Sequence, residues 1–131
     1  MSEENVEIVR RMYEAFHGGD ADGALAYFDP EVVFDATRRP DGGIGHGHHG
    51  LNTNINRWLG AWNEWSEEIE ETRDLGSNVL VISMQRGRGK GSGVEVEQRY
   101  ALLYEVRGGK ITRMTLYISS AEAREAAGLS E

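Results

Sequence analysis

The hydrophobic period of this chain changes in mid-sequence, and that change points to one class of architecture. In the first half, apolar residues recur at helical spacing: Val6, Val9, Met12, Tyr13 and Phe16, then Leu51, Ile55, Trp58, Leu59 and Trp62. In the second half they alternate, as Val94, Val96, Tyr100, Leu102, Tyr104 and Val106 do against Glu95, Glu97, Arg99 and Glu105. Helices followed by hairpin-connected strands define an α+β fold, with the helices on one face of a curved antiparallel sheet. The 131 residues suit one domain, and no internal repeat or linker divides them.

Local signals place the elements. Ser2 or Asn5 is positioned to cap the first helix, and Gly18-Gly19 to stop it. Asp20 caps a second short helix whose apolar face is Ala24, Tyr27 and Phe28, with Pro30 closing it. Val32, Val33 and Phe34 read as a short strand ending at Asp35, and a Gly-rich loop from Ala36 to Gly50 leads into the long helix. Strands are expected from about Glu67 to Leu75, Val79 to Gln85, Val94 to Val106 and Ile111 to Ile118. The near-continuous apolar run from Val79 suits a central strand covered on both faces. Ala121 to Ala127 reads as a closing helical turn ended by Gly128. A sheet curved around helices makes a cone, and a cone mouth that side chains cannot fill becomes a ligand cavity.

Composition narrows the partners. Against 22 Asp and Glu stand 14 Lys and Arg, and the formal charge of -8 repels nucleic-acid phosphates and anionic lipids, so no nucleic acid and no membrane is expected. The absence of cysteine excludes disulfides, thiolate metal sites and thiol nucleophiles. Mean hydropathy is -0.53, and no stretch approaches a transmembrane span. The opening MSEENVEIVRR lacks a signal-peptide pattern, so a cytoplasmic location is expected.

The order of elements, with VRRMYEAFHGGDADGALAYFDPEVVF, GHHGL, GSG, RGGKITRM and SSAEAREAAGL, resembles the SnoaL-like branch of the nuclear transport factor two superfamily, over nearly the whole chain. The resemblance implies a cone-shaped α+β barrel with a pocket, and it licenses no single chemistry, because the superfamily spans ketosteroid isomerases, polyketide cyclases, dehydratases and epoxide hydrolases. The isomerase positions are unfilled: the tyrosine position falls at Met12, beside Tyr13, the base at Ala36, beside Asp35, and the second acid at Leu102. The nearest candidates for an epoxide-hydrolase acid and arginine set, Glu97 and Arg99, alternate away from the pocket. By the same alignment the ligand-binding positions are Met12, Phe34, Trp58, Tyr100, Leu102, Met114, Leu116 and Ile118, with Asn54 and Gln98 as polar exceptions; the competing reading is that these residues fill a solid core. The family commonly pairs through the outer sheet face, and the apolar outward positions Ala101, Leu103 and Tyr117 imply a homodimer.

Few residues suggest catalysis. Asp35 is the one acid at the end of an apolar strand, where partial burial would make it a general base; pairing with Arg38 or Arg39 would make it a loop clamp instead. His48, at the start of the long helix, is the second candidate, as proton donor or shuttle. His46, His48 and His49 could share a metal ion only with a third ligand, and none is obvious nearby, so no metal is expected. Gly45 to Gly50 satisfies G-x-G-x-x-G without a βαβ unit around it, and the basic tip of Arg86, Arg88 and Lys90 lacks phosphate-loop spacing. Three functions follow: a cofactor-independent acid/base enzyme acting on a small hydrophobic, oxygenated metabolite, a non-catalytic carrier of such a ligand, or a dimeric interaction module with a closed core.

Overall fold

The structure is a computed structural model that describes residues 2–39 and 42–126. Its elements are α1 (Ser2–His17), α2 (Ala21–Leu25), β1 (Phe28–Asp35), β2 (Ile44–His46), α3 (Gly47–Gly60), β3 (Trp62–Asp74), β4 (Asn78–Gly89), β5 (Glu95–Arg107), β6 (Lys110–Tyr117) and α4 (Ser120–Ala126). One six-stranded sheet runs in the order β2-β1-β6-β5-β4-β3. Among the described residues only the β1/β6 pair is parallel, so the sheet is the mixed, largely antiparallel one the α+β reading requires. Among the described residues, no helix is long and apolar enough to cross a membrane.

The helical stripe of α1 buries Val9, Met12 and Tyr13 against the inner face of the sheet, beside Val79, Val81, Leu102 and Tyr104. Burying side chains of this size stabilises the fold by about 1.5–3 kcal/mol each. Asn5 does not cap α1; it sits within the helix and donates its side-chain amide to the Gly76 carbonyl, tying α1 to the β3–β4 turn. Asp20 does cap α2, accepting from the Gly23 amide at 2.9 Å. That helix ends at Leu25, before the expected Tyr27 and Phe28, because Phe28 and Pro30 belong to β1. Proline has no N–H to give a ladder, and the β1/β6 register shifts between Phe28 and Val33, around it.

The expected loop from Ala36 to Gly50 is shorter, since β2 and the first turn of α3 occupy its second half. There the glycine motif has a packing role. A Cβ on Gly45 would lie 2.6 Å from the Gly50 oxygen, and one on Gly50 would lie 2.8 Å from the Gly45 carbonyl carbon, so β2 and α3 can cross this closely only as glycines.

β4 is covered on both faces. Val79 and Val81 face the helices, whereas Leu80 and Ile82 face outward into a second cluster with Ala101, Tyr117 and Ala123 of α4. This corrects the reading of Ala101, Leu103 and Tyr117 as a free apolar dimer surface: α4 folds back over it and leaves Ala101 1% and Tyr117 5% exposed. Gly128, expected to end that helix, lies outside the described residues. Two of the three cations of the basic tip are paired, Arg86 with Glu97 and Arg88 with Glu95 across β4 and β5.

A bulge in β3 sets the site. Asn63 pairs with Arg88 but Ser66 pairs with Arg86, and within that shift Glu64 adopts a left-handed backbone with φ of 56°. The inserted residue reverses the alternation, so Trp65, Glu67 and Ile69 point to the helices in place of Ser66, Glu68 and Glu70.

Candidate functional site

Between α1, α2, α3 and the inner face of the sheet lies a cavity of about 170 Å3. Its walls are mostly apolar: Met12, Phe16, Leu25, Phe28, Leu51, Ile55, Trp58, Trp65, Leu102 and Met114. Asn52 and Asn56 of α3 are polar members of this lining, and two further polar features enter it from α1 and the sheet. One is a buried hydroxyl pair, Tyr13 and Tyr104, whose oxygens lie 2.5 Å apart with the rings edge to face. Burial pushes both phenols well above their ordinary value, with the Glu67 carboxylate adding to the effect, so both remain protonated. Two hydroxyl hydrogens and one mutual bond leave one O–H unspent beside the cavity.

The other feature is Glu67, whose side chain is 4% exposed. Its Oε1 faces His17 Nε2 at 2.8 Å, and its Oε2 accepts from Ser83 Oγ at 2.5 Å and more weakly from Gln85 Nε2 at 3.4 Å. Gln85 is oriented by both tryptophans, since Trp58 and Trp65 donate their indole N–H to Gln85 Oε1 at 3.0 and 3.3 Å. That fixes the amide nitrogen on the Glu67 and Ser83 side. His17, 36% exposed, connects the carboxylate to solvent. The Glu67 hydrogen bond raises its imidazole above the ordinary value of 6.5, against the opposing effect of partial burial.

The positions named from sequence divide. Met12, Trp58, Leu102 and Met114 line this cavity. Phe34 and Leu116 are buried in the core beneath it, and Asn54 is buried with its amide donating to the Gly50 carbonyl. Tyr100 is buried against Trp58, with ring centroids 5.9 Å apart, outside the cavity lining. Gln98 and Ile118 are exposed and do not line this cavity; Ile118 follows the last residue of β6.

Asp35 and His48 also lie outside the cavity. Asp35 accepts from the Thr37 amide and hydroxyl and pairs with Arg113 at 3.3 Å and Arg38 at 3.8 Å. Burial raises its carboxyl, but the Thr37 bonds and the two guanidinium groups outweigh it and hold the group below its usual range, as in the clamp alternative. His48 Nε2 bonds the Phe28 carbonyl at 2.9 Å and so ties α3 to β1. Among the described residues, no group of His, Cys, Asp and Glu is arranged to hold a metal ion.

Sequence reasoning passed over Glu67, His17, Tyr13, Tyr104 and Gln85 as site residues. A signal existed for Glu67: it shares the parity of Trp65 and Ile69 in β3, which sets an acid on the face those apolar residues define.

A curved mixed sheet with helices packed in its concave side and a lined cavity between them is the nuclear transport factor two-like, cystatin-like α+β fold. Residues 9–114 match the model of the SnoaL-like domain, and the chain belongs to that family. No curated protein matches the chain. Similar solved structures include TerC co-crystallised with polyporic acid, 20% identical with a TM-score of 0.77, covering 95% of this chain and 98% of that one. A nuclear transport factor two-like protein from Burkholderia thailandensis E264 is 22% identical with a TM-score of 0.80, covering 92% and 95%. A protein with a ketosteroid isomerase-like fold from Catenulispora acidiphila DSM 44928, in complex with trimethylamine, is 20% identical with a TM-score of 0.73, covering 95% and 94%.

Proposed function

We propose that this chain binds a small hydrophobic, oxygenated metabolite in the cavity between α1, α3 and the sheet. The observation that carries this reading is the Tyr13–Tyr104 pair, an unspent phenolic O–H in a mostly apolar lining. Leaving that donor without an acceptor costs about 1–3 kcal/mol, and a ligand carbonyl, ether or hydroxyl oxygen removes the cost. The complexes of TerC with polyporic acid and of the Catenulispora protein with trimethylamine support small-molecule binding on this fold.

A thermal-shift screen with steroid, terpenoid and polyketide-like compounds tests it, because a ligand that binds only the folded state raises Tm. The expected hit carries an oxygen acceptor and loses affinity in the Tyr13→Phe/Tyr104→Phe double variant, which removes both hydroxyls. Silence across the panel overturns the reading.

A catalytic version is favoured by one observation, the carboxylate of Glu67 in the cavity lining, linked to solvent by His17. In that version Glu67 takes a proton from the ligand and His17 passes it to water, with no cofactor. Turnover of a bound compound that disappears in Glu67→Gln supports it; binding without turnover leaves a carrier. Pairing of two copies through the outer sheet face belongs to the same proposal. Because α4 occupies Ala101 and Tyr117, that pairing would use the charged outer positions of β3, β4 and β5. A monomer by light scattering at high micromolar concentration removes it.

A further inference from the structure

The Glu67 carboxylate is buried at a cavity wall to which, among the described residues, no Lys or Arg contributes. A carboxylate removed from water needs donors or an opposite charge to offset its lost hydration. Oε2 has its donors in Ser83 and Gln85, both neutral. Among the described residues, the hydrogen-bond partner of Oε1 is His17, a positively chargeable side chain whose imidazole sits 36% exposed at the edge of the site. The other groups around the carboxylate are Tyr13 from α1, Tyr104 from β5 and the indoles of Trp58 and Trp65. With Phe16, which packs on Trp65, these rings line the same cavity as the carboxylate.

A negative group set among aromatic rings favours a positively charged, weakly hydrated guest over a neutral or anionic one. We infer that the Glu67 end of the cavity takes the cationic head of a small organic ammonium ligand, a quaternary or protonated tertiary amine. This inference rests on the proposed cavity function and names the charge of its ligand. The apolar body lies along the Met12, Leu102 and Met114 wall, an oxygen on that body meets the tyrosine pair, and the ammonium neutralises Oε1. No bond is made or broken.

Protonated His17 and the ligand then compete for the same carboxylate, so each weakens binding of the other by the same factor. Ammonium affinity rises as pH is raised through the titration of His17 and levels off above it, while a neutral ligand shows no such dependence. The upward displacement of the imidazole puts that change above its ordinary range.

The experiment is calorimetric titration of the full chain with choline and with its uncharged carbon isostere, dimethylbutanol, from pH 6 to pH 9. The expected result is that choline binds about tenfold more tightly than the alcohol at the alkaline end, with a preference that shrinks on acidification. Glu67→Gln abolishes the preference, and His17→Gln removes its pH dependence. If Glu67→Gln does not fold, the wild-type pH profile and His17→Gln still decide. Equal affinity for the two probes, or a choline affinity independent of pH, overturns the ammonium assignment and leaves the cavity reading standing. Binding of neither probe overturns the assignment too, and the separate screen of neutral oxygenated compounds then shows whether the cavity reading fails with it.

Discussion

His17 and Glu67 stand 50 positions apart in sequence, and the fold brings His17 Nε2 to within 2.8 Å of Glu67 Oε1. The last turn of α1 supplies the imidazole, and the bulged part of β3 turns the carboxylate inward to meet it.

This contact makes stability depend on pH in a stated direction. Because the folded-state pKa of His17 is raised, its contribution is fully present below the unfolded value of 6.5 and is lost as pH rises through the higher folded value. Thermal melts from pH 5.5 to pH 9 are expected to show a decline in Tm across that window that His17→Gln lacks. The imidazole is partly exposed, so the decline is modest and weakens with added salt.

The tyrosine pair is expected to behave non-additively. Tyr13→Phe or Tyr104→Phe alone removes one partner of a buried bond and costs about 1–2 kcal/mol. The double Phe variant is expected to cost less than the sum of the singles, because neither hydroxyl is then left behind. Denaturant unfolding of the four proteins of this cycle measures the coupling.

Asp35 is expected to act as a clamp. Its lowered carboxyl contributes stability above the unfolded value of 3.8, and the contribution is lost as pH falls through the still lower folded value. Asp35→Asn costs about 1 kcal/mol near neutrality, through weakened contacts to Arg113 and Arg38, and flattens the acid limb of the stability profile. Affinity for any cavity ligand stays unchanged; a large loss of affinity would return Asp35 to the site.

Ala123 is fully buried between α4 and the outer face of the sheet. Ala123→Asp places a carboxylate against Leu80, Ile82 and Tyr117 and is expected to cost about 2 kcal/mol or more. Detachment of α4 should appear as faster amide exchange on the outer faces of β4 and β5.

Glu64 holds a left-handed conformation at the β3 bulge, where glycine is the unstrained residue. Glu64→Gly is expected to stabilise the fold by about 1 kcal/mol, since the ion pair it loses, with Arg88 at 4.0 Å, is exposed and weak. Chemical denaturation shows the gain as a higher midpoint.

Local periodicity and turn chemistry determined the order of the helices and long strands, the Asp20 cap and the two-sided coverage of β4, while the wall positions Met12, Trp58, Leu102 and Met114 came from the family resemblance. The former depend on residues a few positions apart, where spacing alone says which side chains share a face. Tertiary structure decided the polar centre and the outer surface. Glu67 faces inward only because the bulge at Glu64 reverses the parity of β3, and Asp35 becomes a clamp only because β6 carries Arg113 alongside β1. Likewise, α4 covers Ala101 and Tyr117 by a return of the chain that no alternation pattern encodes. A repeat in sequence reports which way a side chain points along its own element. Which group it meets depends on register, bulges and chain reversal, and those are settled when distant segments bury their surfaces together.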